Sequence, residues 1–362
     1  MDFRSDRISL NDSLEAVNDW FYDQGWTDGL PIVPPTAERV EKILAWTDRD
    51  SQDELGAIPP KYGIATIEKM AINAVMAGCL PEYFPIVIAA VEALLEAQFN
   101  LYAVQSTTHP CAPLVIVNGP LAREVGLNAR YNAFGQGWRP NATIGRALRL
   151  VLLNIGGGAP GILDRATQGQ PGKYSYCVAE NEDENPWEPL HVERGFPADV
   201  STVTVCGAEG PHNINDHVST AAPGILTTIA STMAGMGSNN AYAFGEPILA
   251  LGPEHAEILA RDGIRKEDIR DYVFRHARVP RAQWEAGGMF GMGIGPDNLF
   301  PGEAALPLIR TPAHLMIIVV GGPGRHSCWM PTFGAMTRSV TRAIALKEGT
   351  PIRSIQDVKR GT

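Results

Sequence analysis

The 362-residue chain carries 30 basic and 40 acidic side chains for a formal net charge of −10, with 44% hydrophobic and 19% charged residues. That is a globular balance without the basic cluster a phosphate backbone needs, which argues against nucleic acid, and no apolar run nears the ~18 residues of a membrane span. Five cysteines without paired spacing, and a start, MDFRSDRISL, without a basic-then-apolar leader, predict free thiols in a cytoplasmic protein.

Asn11-Asp12-Ser13 offers N-caps for a helix from Leu14 to Gln24, which Gly25 ends. The prolines of Asp28-Gly29-Leu30-Pro31-Ile32-Val33-Pro34-Pro35-Thr36 then enforce an extended path, before Thr36 caps a helix through Ala45. Asp28 reads either as a turn residue or as one that reaches a site. Residues 1–60 form this helical and proline-rich arm.

The string from Asp28 to Thr36, followed by Glu38-Arg39-Val40, resembles the opening of the UGSC-like bacterial proteins, a family named for a selenocysteine- or cysteine-containing redox motif. Gly252-Pro253-Glu254-His255-Ala256, Ala260-Arg261-Asp262-Gly263 and Lys266 to Arg270 are similar to the family's later part. The resemblance implies thiol chemistry, and the segment it points to is Arg325-His326-Ser327-Cys328. This keeps Ser-Cys but lacks the first redox residue and the glycine, so two-thiol redox chemistry is not implied.

Residues 66–97 read as two helices joined at Gly78-Cys79-Leu80-Pro81, with Pro85 to Ala90 open to a strand reading. His109 and Cys111 alternate on an extended segment before a strand from Leu114 to Val117, as a catalytic pair or two metal ligands would require. Trp138-Arg139-Pro140-Asn141 opens a helix from Ala142 to Ile155, where Asn141 can cap and Arg139 and Arg146 suit a carboxylate or phosphate. Arg146 and Arg149 read equally as solvated helix residues. Gly156 to Gly161 follows that helix and reads as a C-cap rather than a phosphate cradle; with no GxGxxG or GxxxxGKS, neither ATP nor NAD is indicated.

A strand from Tyr174 to Ala179 runs into Glu180, a candidate general acid or base. After the Ser201 to Cys206 strand, His212, Asp216 and His217 have the chemistry for a first-row metal if a loop brings them together. Helices follow from Ala221 to Gly235, Glu254 to Arg261 and Lys266 to Arg278, with a strand from Pro247 to Leu251 between the first two. Gly287 to Pro296, rich in glycine and methionine, reads as a lid over a substrate.

The focus of the chain is Gly321 to Pro331, GGPGRHSCWMP, between the apolar run Leu315 to Val320 and a segment, Phe333 to Leu346, with helical spacing. It reads as strand, turn, helix. Cys328 would then sit at a helix N-terminus beside Arg325 and His326, all favouring thiolate, with Ser327 and Trp329 lining a substrate site together with Trp138.

Four pairs of similar segments recur in order, among them Gly137-Trp138-Arg139-Pro140 with Cys328-Trp329-Met330-Pro331 and Pro85 to Ile88 with Pro247 to Ala250. The expectation is therefore an α/β protein of two related α/β halves, 61–200 and 201–362, with parallel or mixed sheets about a pseudo-twofold axis, a cleft between them, and an insertion near 286–300. The expected function is an enzyme in which Cys328 attacks a small electrophilic metabolite and His326 holds the thiolate or moves protons. Two alternatives stand beside it: a metal-dependent lyase or hydrolase using His212, Asp216 and His217 with Glu180 as base, and a binding protein for an anionic metabolite. No cofactor is required, a divalent metal and a homodimer stay open, and the expected partner is a small-molecule substrate.

Overall fold

The computed structural model describes residues 3–289, 298–334 and 336–360. Within them the arm supplies α1 (Leu14–Asp23), α2 (Ala37–Leu44) and the hairpin β1 (Glu54–Ile58) with β2 (Gly63–Thr66). Ser13 caps α1 through its side chain, while Thr36 stands at the N-cap of α2 without a side-chain bond. Next come α3 (Ile67–Ala77), α4 (Phe84–Leu95), α5 (Leu101–Gln105), β3 (Ala112–Asn118), α6 (Pro120–Glu124) and α7 (Arg139–Asn154). Thr66 caps α3 and Gly78 ends it at φ 88°, where glycine alone is unstrained. Pro85 to Ala90 is helical, because Pro85 lies in the first turn of α4 and the alanines let this apolar helix bury itself almost all round.

The chain continues with β4 (Cys177–Ala179), α8 (Leu190–Glu193), β5 (Thr202–Ala208), β6 (His212–Asn215), α9 (Ala222–Met233), α10 (Asn239–Ala243), β7 (Ile248–Leu251), α11 (Pro253–Arg261) and α12 (Lys266–His276). It closes with β8 (Arg278–Pro280), α13 (Arg281–Gly287), β9 (Ala305–Pro307), β10 (Met316–Val319), β11 (His326–Met330), β12 (Val340–Ala343) and α14 (Ile355–Arg360). Residues 290–296 of the expected lid lie outside the described residues.

Two mixed four-stranded sheets organise these elements, in the orders β12-β5-β3-β4 and β10-β7-β11-β6. Each combines one parallel pair, β3 with β4 or β7 with β10, and two antiparallel pairings. Period-two alternation sorts their side chains. Leu114, Ile116, Val178 and Cys206 of the first sheet share one apolar layer with Ile248, Ala250, Ile318 and Met330 of the second. On the outer faces, Val115, Val117 and Val205 pack with Met70, Ile86 and Val151 of the helices, and Leu249, Ile317 and Trp329 pack with Ile229, Leu259 and Val273. The layers therefore run helix, sheet, sheet, helix, an α/β architecture whose strands β3, β5, β7 and β10 are buried on both faces.

The sheets exchange strands. β5 of the first continues through residues 209–211 into β6 of the second, and β11 of the second returns to the first as β12. The two passages meet where Ala208 bridges Thr332, with Glu209 N–H on the Pro331 carbonyl (2.8 Å) and Phe333 N–H on the Gly207 carbonyl (2.9 Å). Both β3 and β7 end in Gly-Pro, and neither glycine tolerates a Cβ: at Gly119 it would lie 2.7 Å from Ser201 Cα, at Gly252 2.1 Å from the His326 carbonyl oxygen.

This connectivity corrects the reading of the key loop. Residues 326–330 are strand β11, between β7 and β6, and the helix expected after it is absent from the described residues of 333–346, where β12 forms instead. Val340 and Thr341 are β-branched and pair with Val205 and Thr204, and the Thr204 and Thr341 hydroxyls meet at 2.9 Å. Two of the segment pairs noted in the sequence also join unlike structures: Pro85 to Ile88 is helix but Ile248 to Ala250 strand, and Arg139-Pro140 begins α7 while Trp329-Met330 ends a strand.

Candidate functional site: a charged cavity under the proline-rich arm

The arm lies along α7, held by an ion pair and by Asn154 Nδ2 on the Trp26 carbonyl at 3.2 Å. Arg146 grips Asp28 in parallel, Nε to Oδ2 at 2.8 Å and Nη2 to Oδ1 at 2.9 Å, and Nη2 also reaches the Pro31 carbonyl at 2.8 Å. Asp28 also accepts the Leu30 N–H at 3.2 Å, the Asp-Gly turn expected here. One turn along α7, Arg149 faces a cavity of about 710 Å³, lined also by Asp28, Gly158, Asp164, Gln170, Lys173 and others from the segment after α7.

Arg149 is chemically incomplete. Its one hydrogen bond among the described residues runs from Nε to the Lys173 carbonyl (2.8 Å). The nearby carboxylates are committed elsewhere, Asp28 to Arg146 and Asp164 to Lys173 Nζ at 2.6 Å. Burial pulls its pKa down, although Asp164 and Asp28 oppose that. A guanidinium stays charged in proteins, so burial without a dedicated anion is costly.

Further unmet donors lie in the neighbouring segments. Gln170 Oε1 accepts Gly172 N–H at 2.7 Å, while its buried Nε2 has no partner. Gln105 Nε2, also buried and unpartnered, lies against Gly158, 2.5 Å from where a Cβ there would stand. Gln170 approaches Gly210 from the other side, next to Glu209. There His109 Nε2 meets Glu209 Oε1 at 2.7 Å, and His109 Nδ1 is buried without a partner. Cys111 lies within the electrostatic reach of Lys173 and Glu209, but burial pushes its thiol up to about 12.

The residues expected to form one site are dispersed. Cys328 lies at the margin of the inter-sheet layer with its sulfur desolvated, and burial pushes its pKa up to about 12. The expected helix N-terminus does not exist, and thiol rather than thiolate is favoured. Ser327 Oγ accepts the Gly252 N–H at 3.0 Å and meets His255 Nδ1 at 2.8 Å, on the opposite face of β11; Trp329 is buried in the outer layer. Arg325 ties the His217 and Ser219 carbonyls, each at 3.2 Å, and faces Glu254 at 3.4 Å.

Glu180 is fully enclosed. Its carboxylate accepts from Asn118 Nδ2 (2.7 Å), Leu190 N–H (2.8 Å), Asn185 Nδ2 (2.9 Å) and Val319 N–H (3.4 Å), fastening β4 to β10. Burial raises its pKa against the pull of Lys266 and these donors. Trp138, not Asn141, is the N-cap of α7, and lines a smaller cavity of about 260 Å³ with Asn128 and Glu182. Asn141 turns away from its helix to accept the Asn128 N–H (2.8 Å) and donate to its carbonyl (2.9 Å), and Arg139 Nε donates to the Gly78 carbonyl at 3.1 Å.

The expected metal trio does not converge. Strand β6 places His212 on the face of Ile214, away from Asn213, and Asp216 turns inward to accept the Val218 and Ser219 N–H groups and the Thr228 hydroxyl. Among the described residues no group of three or more His, Cys, Asp or Glu is placed to hold a metal ion. His217 instead meets His326, Nε2 to Nε2 at 3.0 Å.

Sequence reasoning missed Lys173, Gln170, Gln105, Asp164 and Glu209, which carry no motif; Pro171-Gly172-Lys173 becomes informative only when it folds over α7. No described helix is long and apolar enough to cross a membrane. The layered fold defines an α/β chain with a charged cavity beside α7, and comparison with known proteins adds no family: neither a family model nor a curated protein matches the chain.

Proposed function

We propose that this protein binds a small anionic metabolite, a carboxylate or phosphate ester, in the cavity between the Asp28 turn, α7 and residues 158–174, and acts on it as an enzyme. The observation that carries the reading is Arg149, a guanidinium lining a cavity of about 710 Å³ while every nearby carboxylate is paired to another cation. Lys173 adds positive charge, and Gln170 lines the same cavity with its amide nitrogen left without a partner. His109, oriented by Glu209 and with one ring nitrogen free, is the proton carrier of choice. On this reading the string shared with UGSC-like proteins forms a wall of the site, with Arg146 positioning it.

A related proposal concerns origin. The matching strand patterns of the two sheets, and the Gly-Pro ends of β3 and β7, support a duplication with its boundary between β6 and β7 rather than at residue 200, in which β6 and β12 each pair in the other unit's sheet.

The test is thermal denaturation of wild type, Arg149→Met and Arg149→Lys with a panel of dicarboxylates and phosphate esters. A ligand held at about 100 times its Kd adds roughly 2.7 kcal/mol to wild type. Arg149→Met should lose that gain while melting no lower than wild type without ligand, and Arg149→Lys should keep part of it. No stabilising anion, or an unchanged gain in Arg149→Met, would remove the proposal.

A further inference from the structure

The geometry points to a transition-metal site on the exposed edge of the second sheet, formed by the Nε2 atoms of His217 and His326, separate from the anion cavity and sharing only His217 with the expected His212, Asp216 and His217 set. Both rings are solvent-exposed and meet edge to face with their Nε2 atoms 3.0 Å apart. Two imidazole nitrogens on one metal, each about 2.0–2.1 Å from it, stand roughly 2.9–3.4 Å apart for ligand angles between right and tetrahedral. The pair is already at that separation.

The surrounding chain prepares the pair. β6 and β11 are antiparallel with His326 opposite Asn215 and Cys328 opposite Asn213, so Asn213 shares a face with His326 and bonds it diagonally, Oδ1 to Nδ1 at 2.9 Å. An amide oxygen there takes the Nδ1 proton and leaves Nε2 as the lone pair, the arrangement by which outer groups orient ligating histidines. His217 is held from behind: Arg325 Nη1 donates to its carbonyl at 3.2 Å, and the neighbouring Asp216 carboxylate is locked into the turn by Ser219 N–H at 2.8 Å. Without metal, one imidazole must donate to the other. A divalent cation replaces that shared proton with two coordinate bonds, and solvent fills its remaining positions. Imidazole pairs suit Zn²⁺, Cu²⁺, Ni²⁺ and Co²⁺, whereas Mg²⁺ and Ca²⁺ prefer oxygen ligands.

Calorimetric titration with Zn²⁺, with Co²⁺ absorption as a second readout, tests this on the full chain. Wild type should take up one equivalent, and Mg²⁺ should give no signal. His217→Ala and His326→Gln should each abolish uptake with melting curves like wild type, and Asn213→Ala should weaken it about 10- to 100-fold. His212→Ala and His276→Ala should bind as wild type does. Absence of stoichiometric uptake, uptake that survives in either His217→Ala or His326→Gln, or loss in His212→Ala would each overturn the assignment.

Discussion

Asp28 and Arg146 are 118 residues apart in sequence and joined by two parallel hydrogen bonds of 2.8 and 2.9 Å, with only 4% and 15% of their side chains exposed. An arm fixed only by prolines would be stiff but unanchored; this pair helps to lay it on α7 and closes one side of the charged cavity.

Removing either partner leaves the other charge covered and unpaired. Asp28→Ala and Arg146→Ala should each cost about 3 kcal/mol in urea unfolding, and the double variant clearly less than the sum. Limited proteolysis should then cut between Pro31 and Pro35 in the single variants while wild type resists. Strict additivity of the two losses would show that the pair does not act as a unit.

Cys328 should behave as a thiol. With burial holding its pKa at about 12, pH-resolved alkylation read by mass spectrometry should show no reaction wave near neutrality, and a rate no greater than that of the buried Cys79, whose pKa is raised to about 12 in the same way. Fast labelling with an apparent pKa below the free-thiol value of about 8.5 would restore the nucleophile reading.

Asp216 should make stability fall in acid. Burial alone would raise its pKa, but hydrogen bonds from Ser219, Thr228 and Val218 outweigh that and hold it at about 2. A depressed folded pKa gives stability that is complete above the unfolded value of about 3.9 and is lost as pH drops toward 2. Asp216→Asn should therefore cost roughly 1–2 kcal/mol at neutral pH, and the gap to wild type should narrow across that acid window. An equal gap at both ends would rule out the ionised carboxylate as the cause.

Much of the local structure was legible because short-range physics writes it into the chain. Ser13 as a cap, Gly78 in the joint between α3 and α4, the prolines of the arm, and the apolar runs of β3, β7 and β10 each depend on neighbours within a few residues. The α/β class followed from them. What the linear pattern could not resolve was the fate of residues 326–346, since spacing suggestive of a helix is overridden once a β-branched segment finds Val205 and Thr204 to pair with.

The candidate site divides along the same line. Asp28, Arg146, His109 and Cys111 stood out in the sequence by residue type and spacing, and the structure gives three of them definite neighbours: Asp28 with Arg146, and His109 with Glu209. Arg149 differs from Arg146 in nothing the sequence displays; one binds a carboxylate and the other faces a cavity because α7 turns them toward different parts of the arm and the 158–174 segment. The sequence by itself determined most of the elements, some of their caps and the chemical types available to a site. Only the tertiary structure decided which charges are paired, which donors are left unmet, and that Cys328 faces a desolvated layer between sheets, because pairing and desolvation are set by groups that meet from more than 60 residues apart.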